Sequence, residues 1–570
     1  MIHTHQQATC NFIPFRIRIG VTGHRQLPND QGLSKQVEKV LKEAVMDLFD
    51  ELSKKCIRKS SRTPVVYSII TSLAEGADRL VAREVLKFPG ATIEVVLPLS
   101  REEYVEDFGS EESRLEFDDL LRQARRPIAL RERNLSDGHS PDDLREEKRK
   151  AYEEAGYHVV DQCDLLIAVW NGEPSERTGS TSSVVTYARE RRRPLIAISS
   201  VEPYAVKVEK GYGLNARSIE RIEMFNRFQI PAASLQEGIE NEYAELFVKS
   251  ETVRKNGNDV VPDIPDDKKN LIKNVLLPFY VRTEKIARKN QKFYLRIGLI
   301  AYLFSAAAVA AVTVGILFQG NLMYPFLLEF VLLLAVLVMV GYANHCESHK
   351  KWIESRFLAE RLRSAMFFAA CGVEISPIRL PPYMGTAHHS DDWMVKTFYE
   401  IWNRLPLLTA CKGAECGTLI ECVRLWWVGA QIVYHRDKSI RARKINYRLG
   451  WSGLGIFFMA MAAALTHLLL HVQGSLSEYA GIESVLTLAA IVLPAAGASM
   501  GGIRAHREYT RIENRSKNME AVLMDLYESY SKVSTPEGLD TLLRETDELM
   551  LRETQDWLML MRFVELKPSA

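Results

Sequence analysis

Residues 159–198 read VVDQCDLLIAVWNGEPSERTGSTSSVVTYARERRRPLIAI. The stretch opens on the polar end of a helix and becomes an unbroken apolar run at Leu165–Trp170, the pattern of a strand buried on both faces. Asn171-Gly172 ends the run. A polar loop then delivers Gly179-Ser180-Thr181 to the start of a second helix, and residues 195–198 read as another short strand. Strand, loop, helix and strand in this order form a parallel unit. A small-residue turn at a helix start leaves backbone N–H groups available to an anion.

The same alternation continues toward the N-terminus. Residues 15–21 (FRIRIGV) predict a strand that ends in Thr22-Gly23-His24-Arg25. Val37, Val40, Leu41, Ala44, Leu48 and Leu52 recur at helical spacing over residues 33–56. A second strand, 65–70, runs into Thr71-Ser72-Leu73-Ala74-Glu75-Gly76-Ala77-Asp78, and Thr92–Leu97 predicts a third, stopped by Pro98. The densely charged residues 101–150 read as a solvated face with a short apolar element at 128–130.

This order predicts an α/β, Rossmann-like parallel sheet, whose ligands sit beyond the carboxyl ends of the strands. Three such ends carry TGHR, SLAEGAD and the GST loop, with hydroxyls at Thr22, Ser72, Ser180 and Thr181. Neither GxxxxGK[ST] nor GxGxxG occurs, which excludes a P-loop nucleotidase and the usual dinucleotide fingerprint.

Composition narrows the function classes. Lys and Arg number 73 against 72 Asp and Glu, so a general nucleic-acid binder is not expected. Residues 1–15 lack the cationic and apolar regions of a cleaved signal peptide. The eight cysteines, Cys10, Cys56, Cys163, Cys346, Cys371, Cys411, Cys416 and Cys422, show no framework spacing and read as reduced cytosolic thiols. Cys411, Cys416 and Cys422 are not CxxC pairs, and His388-His389 with Asp391-Asp392 read as a helix cap before Trp393, so no metal is expected.

The second half is different. Residues 297–318, 322–343, 449–470 and 485–503 are long, apolar and arranged as two close pairs, which predicts an α-helical membrane region with four transmembrane helices. Lys and Arg crowd residues 282–296, 350–351, 436–448 and 504–511, whereas the inter-span loops 319–321 and 471–484 have none. The positive-inside rule then puts both termini and the central segment in the cytoplasm of a plasma-membrane protein. Glu329 and His467 within the spans read either as lining a pore or proton path, or as snorkelling or hydrogen-bonded side chains. Ala307, Ala311 and Gly315, like Gly497 and Gly501, share helix faces suited to close packing. The two pairs read as a duplication: Tyr280-Val281-Arg282 answers Tyr434-His435-Arg436, and Arg296-Ile297-Gly298 answers Arg448-Leu449-Gly450. The domain reading is 1–200, a helical extension and linker at 201–267 (with Asn256-Gly257-Asn258 as turn formers), a two-span module at 268–380, a connector at 381–430 and a second module at 431–570.

IGVTGHRQL, SLAEGADRLVAREVL and CDLLIAVWNGEPSERTGSTSSVVTYA together resemble the SLOG superfamily over about residues 14–200. This Rossmann-like group includes LOG phosphoribohydrolases, DNA-processing Smf/DprA proteins and sensor domains of prokaryotic conflict systems. The resemblance implies a pocket for a nucleotide or nucleotide-derived ligand. Thr22, Gly23, His24 and Arg25 would lie on one side, Ser72, Glu75, Gly76 and Asp78 on another, and Gly179, Ser180 and Thr181 at the phosphate. LOG enzymes carry PGGxGTxxE, but with Thr181 aligned, Val184 stands at the glutamate position and Glu176-Arg177-Thr178 replaces Pro-Gly-Gly. Valine neither accepts a proton nor stabilises an oxocarbenium charge, so no catalytic residue and no cofactor is expected. The span pairs, with WIESRFLAERLR and WWVGAQIVYHRDK, resemble SLATT-type two-span effector modules.

The expectation is a membrane effector of a prokaryotic defence system that senses a nucleotide-derived signal and alters membrane permeability. Its expected partners are the bilayer, the ligand and further copies of the chain. The alternatives are a membrane-anchored phosphoribohydrolase-like enzyme and a ligand-gated channel with a housekeeping role.

Overall fold

In a computed structural model, which describes residues 12–27, 31–56, 62–124, 127–131, 141–174, 179–211, 216–247, 264–317, 322–375, 393–409, 411, 414–472 and 480–562, FRIRIGVTG forms strand β1 (Phe15–Gly23). It is followed by β2 (Val65–Thr71), β3 (Thr92–Leu97), β4 (Ile128–Ala129), β5 (Leu165–Trp170), β6 (Leu195–Ser199) and β7 (Val206–Glu209). These make a seven-stranded sheet in the order β4-β3-β2-β1-β5-β6-β7. Every neighbouring pair is parallel except β6–β7. The predicted Rossmann-like sheet is therefore present.

The first unit's helices are α1 (Gln31–Cys56), α2 (Ala77–Leu86), α3 (Arg101–Glu106), α4 (Glu111–Gln123), α5 (Pro141–Gln162), α6 (Thr181–Glu190) and α7 (Ala216–Arg227). All six residues of β5 are buried, which is why that run lacks alternation. Leu166, Ala168 and Trp170 pack with Val159, Val160 and Cys163 from the α5 end and with Val184, Val185 and Ala188 of α6. Each large apolar side chain buried this way contributes roughly 1.5–3 kcal/mol. The chain builds outward from β1 through β2, β3 and β4, then returns to lay β5 on the other side of β1. The order therefore reverses between β1 and β5, the place where such sheets open a crevice.

The described residues up to Gln229 belong to this unit, and so does a later helix, Trp393–Trp402, that returns to it. The returning helix reaches the amino-terminal ends of the central strands. Its Lys396 Nζ donates to both oxygens of Asp164 at 2.7 Å, just before β5. Glu400 accepts from Arg16 of β1 at 2.5 and 3.1 Å.

The second unit is helical. It contains α8 (Ala232–Phe247), α9 (Asp266–Leu271), α10 (Leu277–Leu317), α11 (Met323–His345), α12 (Ser348–Cys371), α13 (Ala414–Cys422), α14 (Ala430–Val472), α15 (Ala480–His506), α16 (Tyr509–Tyr530) and α17 (Pro536–Arg562). Short π segments, Ile272–Leu276 and Val423–Gly429, join α9 to α10 and α13 to α14. Four continuous helical stretches, Asp266–Leu317, Met323–Cys371, Glu415–Val472 and Gly481–Tyr530, are long and apolar enough to cross a membrane. Leu327, Val331, Val338, Phe457 and Leu468 on them are exposed, a costly surface in water and a fitting one in lipid. The chain is a multi-pass membrane protein by this criterion.

The two halves of the helical unit repeat one order: π segment, long helix, second span, corner, polar helix. Both corners turn on a glutamate in left-handed backbone, Glu347 at φ 48° and Glu508 at φ 51°. At each, the glutamate N–H donates three residues back, to Asn344 and Ala505, and its carbonyl accepts from the N–H of Lys351 or Ile512. The spans pack through small residues. A Cβ on Gly315 would lie 2.4 Å from Pro325, and one on Gly502 2.3 Å from Tyr302, whereas Gly501 has open space around it. Within the spans, His467 Nε2 stands 4.0 Å from Glu483.

Glu176, Arg177 and Thr178, the turn formers at 256–258, the inter-span residues 319–321 and 473–479, and His388-His389 with Asp391-Asp392 lie outside the described residues. Cys371, Cys411, Cys416 and Cys422 are buried. Among the described residues no group of three or more His, Cys, Asp or Glu is arranged to hold a metal.

Candidate functional site

The end of β1 shows why TGHR has its glycine. Thr22 and Gly23 pair with Ala168 and Val169 of β5, and His24 N–H donates to the Val169 carbonyl at 3.0 Å. A Cβ on Gly23 would lie 2.3 Å from Ala77 Cβ and 2.4 Å from Val169 O. The second loop packs directly against the first. Ala77 N–H donates to the His24 carbonyl at 3.1 Å. Gly76, at φ +81°, brings its α-carbon so close that a Cβ would meet Arg25 O at 2.3 Å and His24 O at 2.4 Å. Both glycines are thus demanded by close backbone approach, and Gly76 by its torsion as well.

Asp78 lies beneath this junction. Its Oδ2 accepts from the Thr71 hydroxyl at 2.9 Å and from Ala74 N–H at 3.3 Å, and Ser72 donates to it through its backbone N–H. Glu75 reaches the other way, accepting from Gly109 N–H at 3.1 Å and from the Ser113 hydroxyl. Both carboxylates are engaged in holding the loop.

The third loop joins through an aromatic side chain. Gly179, at φ +75°, sits where a Cβ would meet Arg149 O at 2.9 Å and Tyr152 Cβ at 3.4 Å. Ser180 caps α6 by accepting from Ser183 N–H at 3.3 Å, and Thr181 opens the helix. The Arg25 guanidinium lies over the Tyr152 ring, 5.0 Å from its centroid, a cation–π geometry. The Tyr152 hydroxyl donates to Asp107. Tyr152 therefore links the TGHR loop to the GST loop, while Gly76 links TGHR to EGAD.

Tyr104 completes the cluster. It is fully buried, 5.8 Å from the Tyr152 ring, and its hydroxyl has no hydrogen-bond partner. Burial, then Tyr152 and Asp78, hold this phenol well above its ordinary pKa, so it remains a donor. An unmet buried hydroxyl costs about 1–3 kcal/mol, a cost that a bound acceptor removes.

Of the anticipated residues, Gly23, His24, Arg25 and Gly76 meet by backbone approach at the end of β1, and Ser72 and Asp78 are joined beneath them. Glu75 turns to Gly109 and Ser113, Gly179 lies against Tyr152, and Ser180 and Thr181 open α6. Sequence reading missed Tyr104, Asp107 and Tyr152. The charged 101–150 segment is solvated on one face only: Tyr104, Phe108, Phe117 and Leu120 are buried, and the aromatic pair four apart, Tyr104 and Phe108, was the available signal. Val184 is buried in the α5–α6 core, where a Cβ on Gly156 would press on its Cγ2 at 2.5 Å. A glutamate there would enter the core, not the loop cluster.

Asp78 yields a pH prediction. Burial pushes its carboxyl up to about 6, against hydrogen bonds from Thr71, Ala74 and Ser72 that pull it down. The folded pKa exceeds the unfolded one, so protonation favours the fold. The stabilisation is complete below about pH 4 and is lost as pH rises through 6, about 3 kcal/mol in all. Asp78→Asn should abolish that slope. Hydrogen exchange of β2 amides between pH 4 and 7 reads it; parallel profiles for both proteins would contradict it.

No protein-family model matches the chain, and no curated protein matches it significantly.

Proposed function

We propose that the sheet unit is a SLOG-like sensor that binds a nucleotide-derived ligand, and that SLATT-like span pairs answer by altering membrane permeability in a prokaryotic defence response. The observation that carries this reading is the meeting of three strand-end loops around Arg25 and the unpartnered Tyr104 hydroxyl, at the β1–β5 reversal. A cation, a buried donor and the α6 start with its Ser180 cap suit a phosphate. The burial of Val184 and the engagement of Asp78 and Glu75 favour holding a ligand over cleaving it. The basic residues flanking the spans favour cytoplasmic termini in a plasma membrane, the compartment that holds nucleotides. Coupling requires the ligand to bind the active span arrangement more tightly, typically by about 1–3 kcal/mol.

The test is dye release from liposomes carrying the purified chain, run against a panel of mono- and dinucleotides with chromatography of the nucleotide afterwards. Release with the nucleotide intact is expected; turnover without release would sink the sensor reading in favour of an enzyme. Arg25→Ala removes a charge-assisted contact of about 1.5–3 kcal/mol and should weaken the response at least tenfold. Tyr104→Phe should weaken it several-fold without lowering thermal stability. Unchanged ligand affinity in both would displace the site from these loops.

A further inference from the structure

The helical unit contains a cavity of about 320 Å³ that lies outside the apolar stretches, at the basic ends of the spans. It is walled by α10, α12, α14, α16 and α17 and by the corner after α15. The volume falls at the small end of ligand pockets. Six Lys and Arg side chains line it against four Glu. The glutamates are committed: Glu284 pairs with Arg288 and Arg356 at 2.8 and 3.0 Å, Glu360 with Arg356, Glu508 with Arg511 at 2.7 Å, and Glu553 with Arg515 at 3.1 Å. Lys438 and Arg507 make no ion pair among the described residues and give the cavity its positive excess. Lys438 rests on the Tyr434 ring at 5.1 Å.

Four residues that line this space carry an unmet buried polar atom, one of which, His506 Nε2, packs against Gly298. The Tyr294 hydroxyl, His435 Nδ1, His506 Nε2 and Arg515 Nη2 are all buried without a hydrogen-bond partner. Tyr294 is 2% exposed and His435 3%. Tyr294 is held in place by stacking on His349 at 4.3 Å and by His506 at 5.0 Å. Native interiors rarely leave several such groups unsatisfied around one cavity. A ligand that accepts hydrogen bonds and carries negative charge satisfies the donors and balances the charge. The aromatic walls, Tyr294 and Trp352 among them, suit an apolar or planar body attached to that anion.

We propose that this juxtamembrane cavity binds a phosphate-bearing anion, held by Lys438, Arg507 and the Tyr294 hydroxyl. The chemistry is shared by a phospholipid headgroup, which lies at this depth of a bilayer, and by a soluble phosphate ester. The site is separate from the loop cluster of the sheet unit and stands whether or not that cluster binds a nucleotide.

The full chain is placed in phosphatidylcholine nanodiscs with or without phosphatidylglycerol. Native mass spectrometry counts retained phosphatidylglycerol, and equilibrium dialysis measures radiolabelled orthophosphate and AMP. Saturation near one molecule per chain is expected in one arm, and the arm names the source. The double variant Lys438→Ala/Arg507→Ala should bind at least tenfold more weakly, while Arg552→Ala, an exposed control on α17, should bind as the native chain does. Tyr294→Phe keeps the ring and removes only the unpartnered hydroxyl. It should weaken binding several-fold at an unchanged melting temperature, so misfolding of the double variant leaves the test intact. The proposal is overturned by no saturable binding in any arm, or by binding that survives both sets of substitutions. Binding lost only with Arg25→Ala belongs to the sheet unit and equally overturns it.

Discussion

Lys396→Met should destabilise the sheet unit by about 3–5 kcal/mol, the usual cost of stripping a buried charge of its partner. The ammonium of Lys396 lies 2.7 Å from each oxygen of Asp164 and 3.3 Å from the Arg16 carbonyl. The Lys396 and Asp164 side chains are 4% and 0% exposed. Asp164 also accepts from Arg18 N–H at 2.8 Å. With the lysine gone, a carboxylate stays in the protein interior at the start of β5, against the most deeply buried strand of the sheet. Methionine preserves most of the volume, so the loss reports charge and not a cavity. The double variant Lys396→Met/Asp164→Leu should recover much of the loss, because removing both charges removes the desolvation penalty along with the attraction. Urea unfolding of the full chain, followed by hydrogen exchange at β1 and β5 amides, gives both values. A single variant within about 1 kcal/mol of the native chain would mean that water reaches the pair. The same helix holds Arg16 through Glu400, so its release should also raise exchange along the start of β1.

Gly76→Ala should cost about 3 kcal/mol and separate the TGHR and EGAD loops. The backbone there sits at φ 81° and ψ −115°, a region closed to residues with a Cβ and worth about 1–3 kcal/mol in strain. The added methyl would also fall 2.3 Å from Arg25 O and 2.4 Å from His24 O. Those are backbone atoms at the end of a central strand and cannot swing away as a side chain can. Relief requires moving residues 24 and 25, which carries the Arg25 guanidinium off the Tyr152 ring. Gly90→Ala is the matched control: φ is +72°, yet a Cβ there would meet nothing within 4 Å. It should pay the torsional cost alone, about 1 kcal/mol, with the ligand response intact. Equal losses in the two variants, in thermal unfolding and in dye release, would show that close packing at Gly76 adds nothing.

The elements were legible in the chain because their signals are local. An unbroken apolar run marks Leu165–Trp170 as a strand covered on both faces, and predominantly apolar runs of about twenty residues mark the spans. Glycines at strand ends mark turns, and so TGHR, EGAD and the GST loop fall together once the strands lie parallel. The lining of the site was less legible. Tyr104 and Tyr152 belong to helices whose many charges conceal the buried face. Their composition describes the solvated side, whereas their role comes from the few aromatics on the other.

Periodicity records which face of a segment is buried and is silent about what covers it. That is why the sheet, the four apolar helices and the strand-end loops follow from residue order alone. The pairing of Lys396 with Asp164, 232 residues apart, has no local mark. Neither does the contact of Arg25 with Tyr152, nor the unmet hydroxyls of Tyr104 and Tyr294. These depend on which distant side chains the finished packing brings within a few ångströms, and on which polar atoms it then leaves without a partner.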